Sequence, residues 1–449
     1  MSIHPIQEAP LSAPLLFPPG FLWGTATAAH QVEGDNTNND WWLWEQQPGR
    51  IADGTRSAAA VEWWAGRAEE DLHRAAALGI TAQRISLEWS RLEPAPGHYD
   101  EAAFARYRRI LQRMGELGMV RSVTLFHFTL PQWAAAQGSW LSATLPIRFG
   151  AFAAECVRRL GDVVEWWATL NEPMILVYNA YQGTRWPPGL GSMPAGFSAL
   201  GNLLRGHHAA YLAAKQVNPD TQVGIVLNLP IFDPARPSLW DRGVARLQAH
   251  VFNDLQLRAL VQGTLEMPLA FPSQTLPAGP NATDWIGLNY YGRYLVRFDP
   301  TQPRRLFGRH VQQGITSGEN DWGEVYPYGL TRRLLQLAEL GKPLFVTENG
   351  IFDPDDSRRP AYLLRHLRAV HEAIRQGADV RGYFHWSLLD NFEWAEGWST
   401  PFGLIALDPT TQMRTLRRSA HLYADIIRAH GIAPELWRAE VLQPTGSGG

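Results

Sequence analysis

The chain is poor in three things. Among its 449 residues there is one cysteine, Cys156, so no disulfide can close within the chain, and a reducing compartment such as the cytoplasm is the expectation. Lysine is almost missing: Lys215 and Lys342 are the only two, and arginine supplies the remaining positive charge. No apolar run reaches membrane-spanning length, and the N-terminal stretch MSIHPIQEAPLSAPLLFPPG is broken by prolines and lacks the basic flank of a signal peptide. A net charge of -3 gives no electrostatic reason to expect nucleic acid or an anionic membrane as partner. Without secretion, the acceptor-like triplet Asn281-Ala282-Thr283 reads as a chance match, and the closing PTGSGG reads as a disordered end.

Aromatic residues, by contrast, are abundant. With 45% hydrophobic and 18% charged residues, the composition is that of a soluble globular protein with a large core. There are nineteen tryptophans; such large flat rings are costly to expose without purpose, and they make platforms for the C–H faces of sugars as well as core.

Strand-like runs recur at 21–34, 80–90, 120–131, 163–173, 221–230, 284–291, 342–350 and 380–394, with helix-period segments between them. AAFARYRRILQRMGELG and AYLLRHLRAVHEAIRQG are two of those segments, each ending near a glycine. Eight alternations without a Gly/Ser or Pro-rich linker predict an α/β fold, a single closed (β/α)8 TIM barrel with its active site at the C-terminal strand ends. The expected organisation is an N-terminal tail over 1–16, a barrel domain over 17–432 and a C-terminal segment over 433–449. Residues 299–323 are the least regular stretch and read as a functional loop.

The strand ends carry the chemistry. LFVTENG (344–350) ends an apolar strand on a bare carboxylate, Glu348. Asn349-Gly350 could mark a hairpin, but a polar loop and a helix follow rather than a second strand. Glu172 precedes Pro173, and residues before proline favour extended backbone, while proline also suits the first turn of a helix, so on their own Asn171 or Glu172 read as a helix cap. Other strand ends supply Gln31 and Glu33; Arg84, Glu88 and Trp89; His127; Asn171; Asn289 and Tyr291; and Trp386, Glu393 and Trp394. Two isolated carboxylates across an aromatic pocket suit glycosidic bond cleavage, one giving a proton to the leaving oxygen while the other attacks the anomeric carbon or activates water. No metal-ligand constellation stands out, His207 and His208 read as surface or packing residues, and no cofactor is expected.

The sequence resembles glycoside hydrolase family 1, the β-glucosidase and β-galactosidase family. The resemblance runs through FLWGTATAAHQVEG, RISLEWSRLEP, TLNEP, GLNYY, VTENG and WSLLDNFEWAEGW, over residues 17 to 430. It implies that Glu172 is the acid/base and Glu348 the nucleophile of a retaining enzyme, with carboxyl groups about 5–5.5 Å apart. It implies further that Gln31, His127, Asn171, Glu393 and Trp394 hold sugar hydroxyls above Trp386. Arg84 and Tyr291 would contact the nucleophile, Asn289 would support the pocket, and Trp322 would stand at the entrance. The implied partners are small β-glucosides, β-fucosides or β-galactosides. Phe128-Thr129, Asp321-Trp322-Gly323-Glu324 and Tyr328 depart from the family pattern on the leaving-group side. A phospho-β-glycosidase would place phosphate beside Glu393, which repels it. A transglycosidase would share every catalytic residue. A non-catalytic sugar-binding barrel fits the fold equally, but such a degenerate site would be expected to lose one of the two carboxylates.

Overall fold

The computed structural model describes residues 9–266, 273–317 and 322–442. Eight parallel strands close into a barrel: β1 (Leu22–Ala26), β2 (Ala82–Ser86), β3 (Val120–Phe126), β4 (Trp166–Asn171), β5 (Gln222–Asn228), β6 (Trp285–Asn289), β7 (Leu344–Asn349) and β8 (Val380–Trp386). Each pairs with its chain neighbours, and β8 returns to β1 through Gly382↔Leu22. The predicted TIM barrel is therefore the observed fold.

Local chemistry explains the elements. The helix Glu101–Glu116 starts where the Asp100 side chain accepts a hydrogen bond from the Ala103 N–H (2.9 Å). It buries Phe104, Tyr107, Leu111 and Met114, spaced three or four apart, and ends before Gly118, whose φ of 76° suits a residue without Cβ. The long helix Met193–Val217 buries both His207 and His208, so these are packing rather than surface residues. Cys156 is buried in the helix Leu145–Leu160.

Inside the barrel, Ala82, Ala168, Val226, Trp285, Phe345 and Phe384 form a separate apolar plug. Two glycines make room for its rings. A Cβ on Gly224 would come within 2.3 Å of Trp285, and one on Gly24 within 2.4 Å of Phe384. The plug fills the barrel interior, so the pocket can open only at one end.

The termini and the irregular stretch differ from the expectation in detail. Leu15–Leu16, expected in the tail, pair antiparallel with Gly431–Ile432. Beyond 432, Pro434–Trp437 forms a helical turn with Trp437 buried, while the PTGSGG end lies outside the described residues. The region after β6 is not a bare loop: Gly308–Val311 pairs with Arg293–Phe298, which pairs with Ile231–Pro234. Among the described residues no helix is long and apolar enough to cross a membrane.

Replacing Phe384 by Ala should remove a ring from the plug at a cost of about 3–5 kcal/mol. A lowered urea midpoint would register that loss, and an unchanged midpoint would contradict the packing described.

Candidate active site

The C-terminal strand ends surround a cavity of about 250 Å³ lined by, among others, His127, Asn171, Glu172, Glu348, Trp386 and Glu393. Strand alternation alone would not aim the two carboxylates there. Phe345 faces the plug, so alternation turns Val346 outward, Thr347 inward and Glu348 outward. The ladder slips first: Leu288 pairs with Val346, but the next pair is Asn289 with Glu348. A second slip occurs in β4, where Ala168 pairs with Gly224 and the next pair is Asn171 with Val226. Each slip falls just before a residue that must face the pocket, the usual use of such irregularities.

Glu172 follows immediately. It occupies the N-cap position of the short helix Pro173–Leu176, as its proline neighbour suggested, but its φ of 46° and ψ of 59° are left-handed rather than extended and its side chain makes no capping hydrogen bond. Phe128 (φ 74°) and Trp394 (φ 49°) line the same cavity in the same region of backbone space. Such conformations cost about 1–3 kcal/mol each and persist only where the surroundings enforce them.

One bonded network joins the acids. Arg84 donates from Nη1 to Glu348 Oε1 (2.6 Å), from Nη2 to Asn171 Oδ1 (2.7 Å) and from Nε to Thr124 Oγ1 (2.9 Å). Tyr291 donates its hydroxyl to Glu348 Oε2 (2.8 Å). Asn289 Nδ2 donates to Glu172 Oε1 (2.8 Å) and to Asn171 Oδ1 (3.2 Å), while its own carbonyl accepts from Thr347 Oγ1 (2.7 Å). Asn228 Nδ2 donates to the same Glu172 oxygen at 2.9 Å. Asn228 was missed in the sequence, although it ends the strand-like run TQVGIVLNLP as Asn289 ends its own.

These partners divide the protons. Burial, then the charge of Glu348, pushes the Glu172 carboxyl up to about 8. Burial also raises Glu348, but Arg84 and the Tyr291 hydroxyl oppose it there and favour the charged form. Of the two, Glu348 has the partners that favour a negative charge, while Glu172 has only neutral amides and the repulsion of Glu348.

The remaining candidates form the floor and side wall. His127 Nε2 accepts from Asn171 Nδ2 (3.0 Å), and burial, reinforced by Arg84, holds the imidazole neutral. Its hydrogen is then on Nδ1, which is buried without a protein partner among the described residues. Gln31 sits on the short helix Ala29–Val32 rather than on a strand. Its Nε2 donates to Asn391 Oδ1 (2.9 Å) and Glu393 Oε2 (3.1 Å), leaving a buried Oε1 that likewise lacks a protein partner. Glu393 is raised well above the usual carboxylate range by burial and by the charges of Glu396 and Glu348. Trp386 and Trp394 each stack near the His127 ring, at 6.0 and 6.1 Å. Trp322 also lines the cavity, edge-on to Tyr291 at 5.6 Å.

Three residues read at strand ends serve elsewhere. Glu33 is buried against Arg91 (2.8 Å) and the Tyr107 hydroxyl. Glu88 accepts from Thr129 Oγ1 (2.9 Å) and Ser90 Oγ (2.7 Å), which ties down the segment after His127. Trp89 stacks on Phe152 at 4.8 Å. Their strands, Leu22–Ala26 and Ala82–Ser86, end before they appear, so the chain has already left the barrel wall. Among the described residues no cluster of side chains is arranged to hold a metal ion.

Carboxyl-labelled glutamate resonances should include one that titrates near pH 8. Asn228→Ala removes a donor that favours the charged form of Glu172, so that titration should move to higher pH. A shift to lower pH would contradict the assignment.

Along nearly its whole length the chain is similar to known proteins of one family. The model of Glycosyl hydrolase family 1 matches residues 14–432. β-Glucosidase A of Thermotoga maritima is 32% identical over 93% of this chain and 98% of its own. The bifunctional β-D-glucosidase/β-D-fucosidase of Bifidobacterium breve is 32% identical over 93% and 99%. A solved β-glycosidase from Pyrococcus horikoshii superposes with a TM-score of 0.87 at 37% identity, over 95% of this chain and 98% of that one. With its whole barrel inside the matched region, this chain belongs to glycosyl hydrolase family 1.

Proposed function

We propose that the protein is a retaining β-glycosidase acting on small β-glucosides, and on β-fucosides or β-galactosides that share the same contacts. Glu348 is the nucleophile and Glu172 the acid/base. The observation that carries this reading is the unequal support of the two carboxyls: a cation and a phenol on Glu348, neutral amides on Glu172.

In the first step Glu172 gives its proton to the leaving oxygen while Glu348 attacks the anomeric carbon, forming a glycosyl ester and releasing the aglycone alcohol. The ester carries no charge, so Glu172 loses the repulsion that held its proton. It then takes a proton from water, whose oxygen attacks the anomeric carbon and frees Glu348. The two inversions at that carbon leave the β configuration intact. His127 Nδ1–H and Gln31 Oε1, buried without partners among the described residues, supply a donor and an acceptor for sugar hydroxyls, with Asn171 and Glu393 beside them. Trp386 offers a ring face beneath the sugar. The absence of any possible disulfide within the chain fits a cytoplasmic enzyme.

Release of nitrophenol from a panel of aryl β-glycosides tests the assignment and ranks the sugars. Glu348→Gly should lose more than about a thousandfold in kcat and recover part of it with formate. Robust activity in the unsupplemented variant would sink the nucleophile assignment, and an α-configured first product would sink retention. For the parent enzyme, kcat/KM should fall as pH rises through about 8, where Glu172 loses its proton.

A further inference from the structure

The cavity wall around Glu393 carries more acid than the reaction uses. Glu393 and Glu396 sit three residues apart on one helical turn, Glu393 at its N-cap position and Glu396 at its end. Both are buried, and both line the cavity. Like charges so close disfavour each other's ionised form. Glu396 bears on Glu393 more strongly than Glu348 does. Among the described residues no cation pairs with Glu393 itself, which accepts from Gln31 Nε2 at 3.1 Å.

One cation pairs with Glu396, and it comes from a different loop. Arg185 Nη2 donates to Glu396 Oε1 at 2.6 Å. The Arg185 side chain is 43% exposed and that of Glu396 only 5%, so the cation keeps much of its water while it neutralises a buried anion. Other contacts already hold the turn in place. Asp53 accepts from the Trp398 N–H (2.7 Å) and the Ser399 N–H (3.0 Å) just beyond it. The Glu393 N–H closes the turn on the Gly397 carbonyl at 2.8 Å. Trp186, the residue after Arg185, packs near Trp394 with its own ring at 5.9 Å. What Arg185 adds to these contacts is charge.

A charged carboxylate holds a hydroxyl about twice as strongly as a neutral one. Burial presses Glu393 towards its neutral form, and an unopposed charge on Glu396 adds to that pressure. We propose that Arg185 is a positioning residue for sugar binding: by neutralising Glu396 it preserves the capacity of Glu393 to accept hydrogen bonds from the sugar hydroxyls. Arg185 acts through Glu396 rather than on the sugar itself. The proposal rests on the β-glycosidase reading above.

The test measures kcat/KM on the best aryl β-glycoside of the panel. Arg185→Met should lower it by about fivefold or more, the scale of a charge-assisted contact made neutral. Adding Glu396→Gln to that variant removes both charges and should restore kcat/KM to within about twofold of the wild type. Arg185→Lys keeps the cation and should stay within the same range. A loss that came only from loop packing would not be restored by Glu396→Gln. An unchanged kcat/KM in Arg185→Met would overturn the proposal, and so would a double variant no better than the single one. Should Arg185→Met fail to fold, the double variant and Arg185→Lys decide alone. A loss of about fivefold in either, with native circular dichroism, would then overturn the proposal. A wild-type enzyme that hydrolyses no β-glycoside would instead overturn the functional reading on which the proposal rests.

Discussion

The contact between Arg84 and Glu348 is the constraint on which the site depends. Both side chains are almost wholly buried and their atoms lie 2.6 Å apart. Taking two charges out of water costs several kcal/mol, which is returned only when the remaining donors and acceptors are also satisfied. Here they are: Arg84 spends its other nitrogens on Asn171 and Thr124, and Glu348 takes a second hydrogen bond from Tyr291. The pair therefore does two things at once. It favours the charged form of one carboxyl against the burial that opposes it, and it fixes Asn171 beside it.

Neutral amides complete the arrangement. Asn171, Asn228 and Asn289 end three consecutive barrel strands, and the last two both donate to one oxygen of Glu172. A lysine at either position would orient the carboxyl as well, but its charge would strip the proton that the proposed mechanism requires at neutral pH. Amides orient without ionising. The same economy of charge appears at His127, which burial keeps neutral so that it offers a donor and not a cation.

The cavity has two characters because two structures build it. The barrel ends contribute carboxylates, amides and tryptophans, while the small outer sheet contributes the clustered rings of Phe232, Tyr294 and His310. The sheet grows from the loops after β5 and β6, so it can vary while the barrel chemistry stays the same. The departures from the family pattern at Phe128 and around Trp322 lie at lining positions of this cavity as well.

Much of this was legible in the order of residues. Eight apolar strand runs separated by helical periods specified the barrel, and TLNEP and VTENG specified the family, because both signals are local and repeat along the chain. Asn228 was legible too, as a polar residue closing a strand. What the order of residues could not contain is direction. Period-two alternation turns Glu348 away from the pocket, and only the ladder slips against β6 and β8 bring it inward. Glu33, Glu88 and Trp89 carry the same residue types at apparently equivalent places, yet the chain turns before reaching them. The clustering of the Phe232, Tyr294 and His310 rings depends on pairing within a sheet whose members start at positions 231, 293 and 308. Such facts belong to pairing between distant segments, so the tertiary structure decided them and the sequence by itself decided the fold and its chemistry.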